Sequence, residues 1–206
     1  MKANVDNGAR LFKERCEDHR NVFSNMENDR EFLELIDIIS EKIILSLKNK
    51  GKLLLCGNGG SAADAQHIAA EFVGKFQKER APYDAEALTT NTSILTAVAN
   101  DYDFDGVFSR QVEAKGREGD ILIGISTSGK SKNVLNAMKS AKRKQMITVM
   151  LMGDFETGQL DEYCDFIIKI PSKITARIQE AHIFVGHVLA ELVEINDIGV
   201  DEQKEN

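Results

Sequence analysis

Apolar positions along the chain follow two periodicities. Phe32, Leu33, Leu35, Ile36, Ile39, Ile43, Ile44 and Leu47 recur at three- and four-residue steps, the spacing of one helix face. Gly51 offers a stop beyond them. Leu11, Phe12, Cys16, Val22 and Phe23 mark an earlier helix from about 5 to 25, and the polar stretch 25–29 separates the two. After Gly51 the pattern changes. Leu53 to Cys56, Ile121 to Ile125, Met146 to Leu151 and Phe166 to Ile170 are apolar runs too short for helices, and they read as buried strands. Ala85 to Thr90 is a weaker strand candidate. Helices are predicted between these runs: one opening at Ser61, then 92–98, 104–116 and 132–144, and a last long one from Thr175 to about Ile195.

Strands alternating with helices define an α/β fold. The expected architecture is a three-layer αβα sandwich around a mainly parallel five-stranded sheet, preceded by an N-terminal helical pair. Residues 1–50 are assigned to packing and self-association, residues 51–198 to the α/β domain, and residues 199–206 to a polar, frayed tail. His19, in the first helix, reads as a surface residue.

Composition narrows the function classes. The chain has 206 residues, 42% apolar and 29% charged, with a net charge of -7. That balance is ordinary for a soluble domain and argues against a general nucleic-acid binder. No apolar stretch reaches membrane-spanning length, and the N-terminal residues lack a signal-peptide core. Cys16, Cys56 and Cys164 are odd in number and widely spaced, which fits reduced thiols in a cytoplasm. Cys56 reads as core filler.

Two turns carry the candidate chemistry. The first is Gly57-Asn58-Gly59-Gly60-Ser61, between a strand and a helix. Its glycines permit positive φ and close ligand approach. Ser61 occupies a plausible N-cap position with Asp64 three residues on, like a capping box. The helix start then presents free N–H groups and a positive dipole end, which suits a phosphate. His67 and Glu71 share one face of that helix at a spacing of four. An imidazole and a carboxylate beside a phosphate cradle suggest acid/base or metal chemistry on a phosphorylated molecule.

The second turn, Gly124 to Ser131, admits two readings. It fits the nucleotide-binding pattern G-x-x-x-x-G-K-[ST] between a strand and a helix, with Asp154 as a conceivable magnesium-side carboxylate. It also reads as a nest of hydroxyls, in which Ser126, Thr127, Ser128 and Ser131 hold a phosphomonoester and Lys130 need not touch it. Few elements follow the turn, and the first reading leaves His67 and Glu71 without a role.

Taken together, Cys56 to Ser61, Asp64 to His67 with Glu71, Asn100-Asp101, Phe108 to Arg110, Gly124 to Ser128 with Ser131, and Arg177 to Glu180 followed by His182 and His187 resemble the sugar isomerase (SIS) domain family, and within it the phosphoheptose isomerases. The resemblance implies an aldose–ketose isomerisation of sedoheptulose 7-phosphate to the heptose 7-phosphate aldose, in ADP-heptose and lipopolysaccharide core biosynthesis. It implies a homotetramer with shared sites and a zinc ion held at His67, Glu71, Gln179 and His187. Substrate contacts are implied at Asn58, Gly59, Gly60, Ser61, Glu71, Asn100, Asp101, Ser126, Thr127, Ser128, Ser131 and Gln179. Glu71 is then the base that moves a proton through an enediol, and His187 the acid; His182 stays structural. Lys130 is often Asn in relatives, which weakens the nucleotide reading. Ala176 stands where some relatives carry an acid, and Lys75 where some carry Arg. A non-catalytic branch exists among the relatives, but it lacks the carboxylate matching Glu71.

Gln179 and His187 are eight residues apart on one helix, about 12 Å along the axis and roughly 80° around it. The easier arrangement draws the His67/Glu71 face from one copy and part of the last helix from another.

Overall fold

The computed structural model describes residues 2–201. Five strands, β1 (Leu53–Gly57), β2 (Ala85–Ala87), β3 (Ile121–Ile125), β4 (Ile147–Gly153) and β5 (Phe166–Ile170), form one sheet in the order β2-β1-β3-β4-β5. All four pairings are parallel, with Leu55 opposite Ile123 and Ile123 opposite Val149. The helices are α1 (Lys2–Glu27), α2 (Arg30–Lys48), α3 (Gly60–Val73), α4 (Thr92–Asp101), α5 (Ser109–Lys115), α6 (Lys132–Arg143), α7 (Leu160–Tyr163) and α8 (Thr175–Asp201).

Alternation along the strands splits the core in two, as a sheet buried on both faces requires. Leu53, Leu55, Ile121, Ile123, Ile125, Val149 and Leu151 meet Ile39 and Ile43 of α2, Ile68 and Phe72 of α3 and Ile178, Val185 and Leu189 of α8. Leu54, Cys56, Leu122, Met150 and Met152 meet Val112 of α5, Val134 and Met138 of α6 and Leu160 of α7. This is the three-layer sandwich read from the pattern, with the sheet wholly parallel. Cys56 is core filler, and burial pushes its thiol up to about 12. Among the described residues no helix is long and apolar enough to cross a membrane.

Some boundaries differ from the pattern. Asp29 caps α2 by accepting the Phe32 N–H at 3.1 Å, so the break before α2 shrinks to two residues. The stretch 104–116 is not one helix. It is a 3₁₀ turn at Phe104–Gly106 followed by α5, with Asn136 of α6 binding the Asp105 carbonyl at 3.1 Å. A tertiary partner for that carbonyl removes the need for a continuous helical ladder. The single turn α7 had no periodicity to announce it. The last helix runs to Asp201, past the expected end near Ile195; the remainder of the polar tail, 202–206, lies outside the described residues. His19 is more than a surface residue, since its Nδ1 lies 2.9 Å from Glu180 of α8 and its ring stacks on Phe23.

One buried ion pair ties the amino ends of β1 and β3. Asp120 is 1% exposed and accepts from the Lys52 backbone N–H, the Lys52 ammonium and the Arg117 N–H at 2.8–2.9 Å. Truncation would leave those donors unsatisfied. Asp120→Ala should therefore lower unfolding stability by about 3 kcal/mol, read from the urea midpoint.

Candidate active site

The strand order changes direction between β1 and β3, so their loops part there and open a crevice at the carboxyl ends of the strands, the position at which such sheets bind ligands. Both turns singled out in the sequence flank it, and the helices that follow them, α3 and α6, begin beside it. Two positive dipole ends thus meet at one place.

The first turn is built differently from the capping box expected. Gly59 is the N-cap, at φ 57°, without a side-chain cap bond, and Ser61 is buried in the first turn of α3. A side chain at Gly59 would be strained there. A Cβ on Gly60 would meet the Gln179 amide nitrogen at 2.3 Å, so a bare backbone is what lets α8 close on this turn. Asn58 exchanges a reciprocal pair of amide bonds with Asn133 of α6, at 2.8 and 2.9 Å. That pair braces the two loops against each other. Asn133 went unnoticed in the sequence, where a lone Asn inside a helix carries no signal.

In the second turn the Ser126 and Ser131 hydroxyls are 2.9 Å apart, and the Ser128 hydroxyl accepts the Lys130 N–H at 3.2 Å. Thr127 and Ser128 are half-buried. Lys130 instead lines a separate cavity of about 730 Å³ with Phe155, Lys169 and Lys173, where Asp154 also lies. That cavity lies beside β4 and β5, and Ser126, Thr127, Ser128 and Ser131 do not line it. Asn100 and Asp101 close α4, exposed, with the Asn100 amide donating to Asp101 at 2.9 Å.

The cluster of imidazoles and carboxylate lies farther along α3. His67 Nε2 is 2.8 Å from His187 Nε2 and 3.3 Å from Glu71 Oε1. One ligand atom from each residue falls within 4.8 Å of the others. One chain brings these three together by itself, so the part of the last helix that carries His187 needs no second copy. The cause is packing. α3 and α8 run side by side in the same direction, Gly60 against Gln179 and Ile68 against Gly186. A Cβ at Gly186 would meet Ile68 at 2.5 Å, so the glycine permits the close approach. His187 and Gln179 therefore each face α3, about two turns apart, and Gln179 stands at the first loop rather than among the three.

Neighbouring groups complete the picture. The Phe76 ring lies 5.4 Å from that of His187. Asp64, one turn before His67, has a buried and unpartnered Oδ2; burial raises its carboxyl to about 6, with His67 pulling the other way. His182 is fully buried, and desolvation lowers its imidazole to about 4, so it is neutral near pH 7 and structural. Lys75 pairs with exposed Glu79, and Ala176 is exposed at the start of α8.

A parallel sheet with two Gly- and Ser-rich turns at its switch point, and an imidazole–carboxylate cluster farther along the helix that follows the first turn, defines the class of α/β domain. The chain belongs to the SIS domain family, which it matches over residues 16–153, and its relatives place it among the phosphoheptose isomerases. It is 51% identical over 176 residues to the phosphoheptose isomerase of Clostridium acetobutylicum, covering 84% of this chain and 89% of that one. It is 52% identical over 166 residues to phosphoheptose isomerase 2 of Campylobacter jejuni, covering 81% and 82%. Among solved structures, the phosphoheptose isomerase from Neisseria gonorrhoeae superposes with a TM-score of 0.82 at 42% identity, over 91% of this chain and 98% of that one.

Proposed function

We propose that this chain is an aldose–ketose isomerase that interconverts sedoheptulose 7-phosphate and the corresponding heptose 7-phosphate aldose. The observation that carries the reading is the convergence of Glu71, His67 and His187 within 4.8 Å, in a chain about half identical to phosphoheptose isomerases. The loops Asn58 to Ser61 and Ser126 to Ser131 hold the phosphate through backbone N–H groups and hydroxyls. Glu71 takes a proton from C1 of the ketose and returns it to C2 of the enediol. His187 exchanges the hydroxyl protons as the carbonyl moves from C2 to C1. Incubation with sedoheptulose 7-phosphate in D₂O, followed by NMR, should show aldose formation with deuterium entering at the exchanged carbon. Conversion of other ketose phosphates alone would overturn the substrate, and no conversion of any would overturn the enzyme.

The cluster also suits zinc. Tetrahedral bonds of about 2.0–2.1 Å set ligand atoms roughly 3.3 Å apart, close to the 3.3 Å between His67 and Glu71 and somewhat wider than the 2.8 Å between the histidines. His67, Glu71 and His187 would hold the ion, with Gln179 the fourth residue the family suggests. Bound there, zinc would polarise the sugar oxygens as a Lewis acid. Purified protein should carry about one zinc per chain by elemental analysis, and His67→Ala should lose most of it while staying folded.

The hydroxyl-nest reading makes a separate prediction. Lys130→Ala should change KM by less than about threefold, while Ser128→Ala with Ser131→Ala should raise it about tenfold or more, the size expected for lost charge-assisted hydrogen bonds. Tight magnesium-dependent ATP binding that disappears with Lys130→Ala would reverse the assignment.

Glu71 follows Gly60 by eleven residues, about 16 Å along α3. A bent or cyclic seven-carbon sugar does not cover that span within one chain. The spacing supports a site built from the phosphate loops of one copy and the Glu71 cluster of another, in the homotetramer that the family suggests. Apolar side chains exposed at Leu33, Ile38, Leu45, Val73, Phe184 and Ile195 provide surface for such contacts.

A further inference from the structure

The loop after α3 takes no part in the chemistry above, yet it is tightly held. Glu194 of α8 is 1% exposed. Its carboxylate accepts the backbone N–H groups of Phe76, Gln77 and Lys78 at 2.7, 2.9 and 3.1 Å, and Arg80 Nε at 3.0 Å. Three successive N–H groups form a concave anion site, and here the chain's own carboxylate fills it. Burial alone would favour the protonated form. The N–H groups of Gln77, Phe76 and Lys78, with Arg80, outweigh it and hold the carboxyl below its ordinary range. Arg80 completes the assembly from the other side. Its Nη1 donates to the carbonyls of Phe72, Gly74 and Ala81 at 2.9–3.1 Å, and its Nη2 to the carbonyl of Glu71 at 2.7 Å. Its guanidinium also lies 4.1 Å from the centre of the Tyr83 ring.

Two consequences follow for the cluster. The carbonyls at the end of a helix have no partner within it, and Arg80 satisfies two of those at the end of α3, Glu71 and Phe72. The loop pinned by Glu194 is also the one that lays Phe76 against the His187 ring. A single ion pair therefore fixes the backbone of the base and the ring that seats the acid. We propose that Glu194 and Arg80 are positioning residues for isomerisation, clamping the last turn of α3 and the loop 74–80 so that Glu71 and His187 keep their mutual geometry. The proposal rests on the reading of Glu71 and His187 as the proton-transferring pair.

The test is Glu194→Gln in the full chain, which keeps the side-chain size and removes the charge. Three readouts are taken: amide exchange at Phe76, Gln77 and Lys78; the NMR signal of the His187 ring, which senses the Phe76 ring; and kcat with KM. Exchange at the three amides should rise about tenfold or more, and the His187 signal should move. kcat should fall about 10–100-fold, the scale of a small misplacement of catalytic groups. KM should stay within about twofold, because the phosphate loops lie at the other end of α3. A general loss of packing would instead move KM and the thermal midpoint together with kcat. Faster exchange with unchanged kcat overturns the proposal, and so do unchanged amides. If Glu194→Gln does not fold, Phe76→Leu decides: a displaced His187 signal with kcat lowered several-fold supports the clamp, and unchanged kcat overturns it. Absence of turnover in the unsubstituted chain counts against the isomerase reading; normal turnover in Glu194→Gln counts against the clamp alone.

Discussion

Glu71→Gln should lower kcat by about 10²–10⁴-fold, the range that general acid–base catalysis supplies. The change keeps the side-chain volume and removes the only carboxylate in the cluster of Glu71, His67 and His187. Stability should hardly change. Glu71 is half-buried and its side chain faces exposed His67 rather than the core, and Arg80 holds its backbone carbonyl, which the substitution leaves in place. Phosphate affinity should also persist, because the loops that carry it lie at the opposite end of α3. Single-turnover kinetics with a thermal melt on the same preparation makes the measurement. Turnover within tenfold of the parent would remove Glu71 from the role of base, and a collapsed melt would show a structural role instead.

Mixing two impaired variants, assayed at substrate well below KM, should restore activity, and the choice of pair decides how the site is divided. Glu71→Gln keeps the phosphate loops and loses the base. The double variant Ser128→Ala, Ser131→Ala keeps the base and weakens the loops. If loops and cluster come from different copies, random reassociation of equal amounts should rebuild about a quarter of the sites, since each half is intact with even odds. Glu71→Gln mixed with His187→Ala should recover nothing, because His67, Glu71 and His187 converge within one chain and no chain in that mixture has an intact cluster. Native mass spectrometry must confirm mixed oligomers in both cases. No recovery with the first pair would place the whole site in one chain. Recovery with the second would mean that the cluster itself is assembled across copies.

Much of this was legible from residue types and spacing. The length and period of the apolar runs decide strand or helix locally, which is why the four strong strands and the long helices fall where the pattern puts them. Their alternation leaves a parallel sheet buried on both faces as the natural packing. The two small-residue turns identify themselves because glycine and hydroxyl side chains between a strand and a helix have a local consequence. His67 and Glu71 share a face by helical geometry alone.

What the sequence could not supply depends on how the elements pack. The N-cap of α3 moved from Ser61 to Gly59 because the turn had to close beneath Gln179, a contact 119 residues away in the chain. The helix expected over 104–116 broke where α6 offered Asp105 a partner. The bond between Asn58 and Asn133 and the clamp of Glu194 on the loop after α3 join residues with no shared period. The placing of His187 has the same origin. On an isolated α8, Gln179 and His187 reach one ion only at full stretch, and that spacing suggested drawing part of α8 from another copy. Gly186 lets α8 lie directly along α3, so each of the two side chains meets α3 at its own level, and the cluster forms within one chain. Sequence periodicity fixes which residues share a face of one helix; only the distance and direction between two packed helices decide which faces meet.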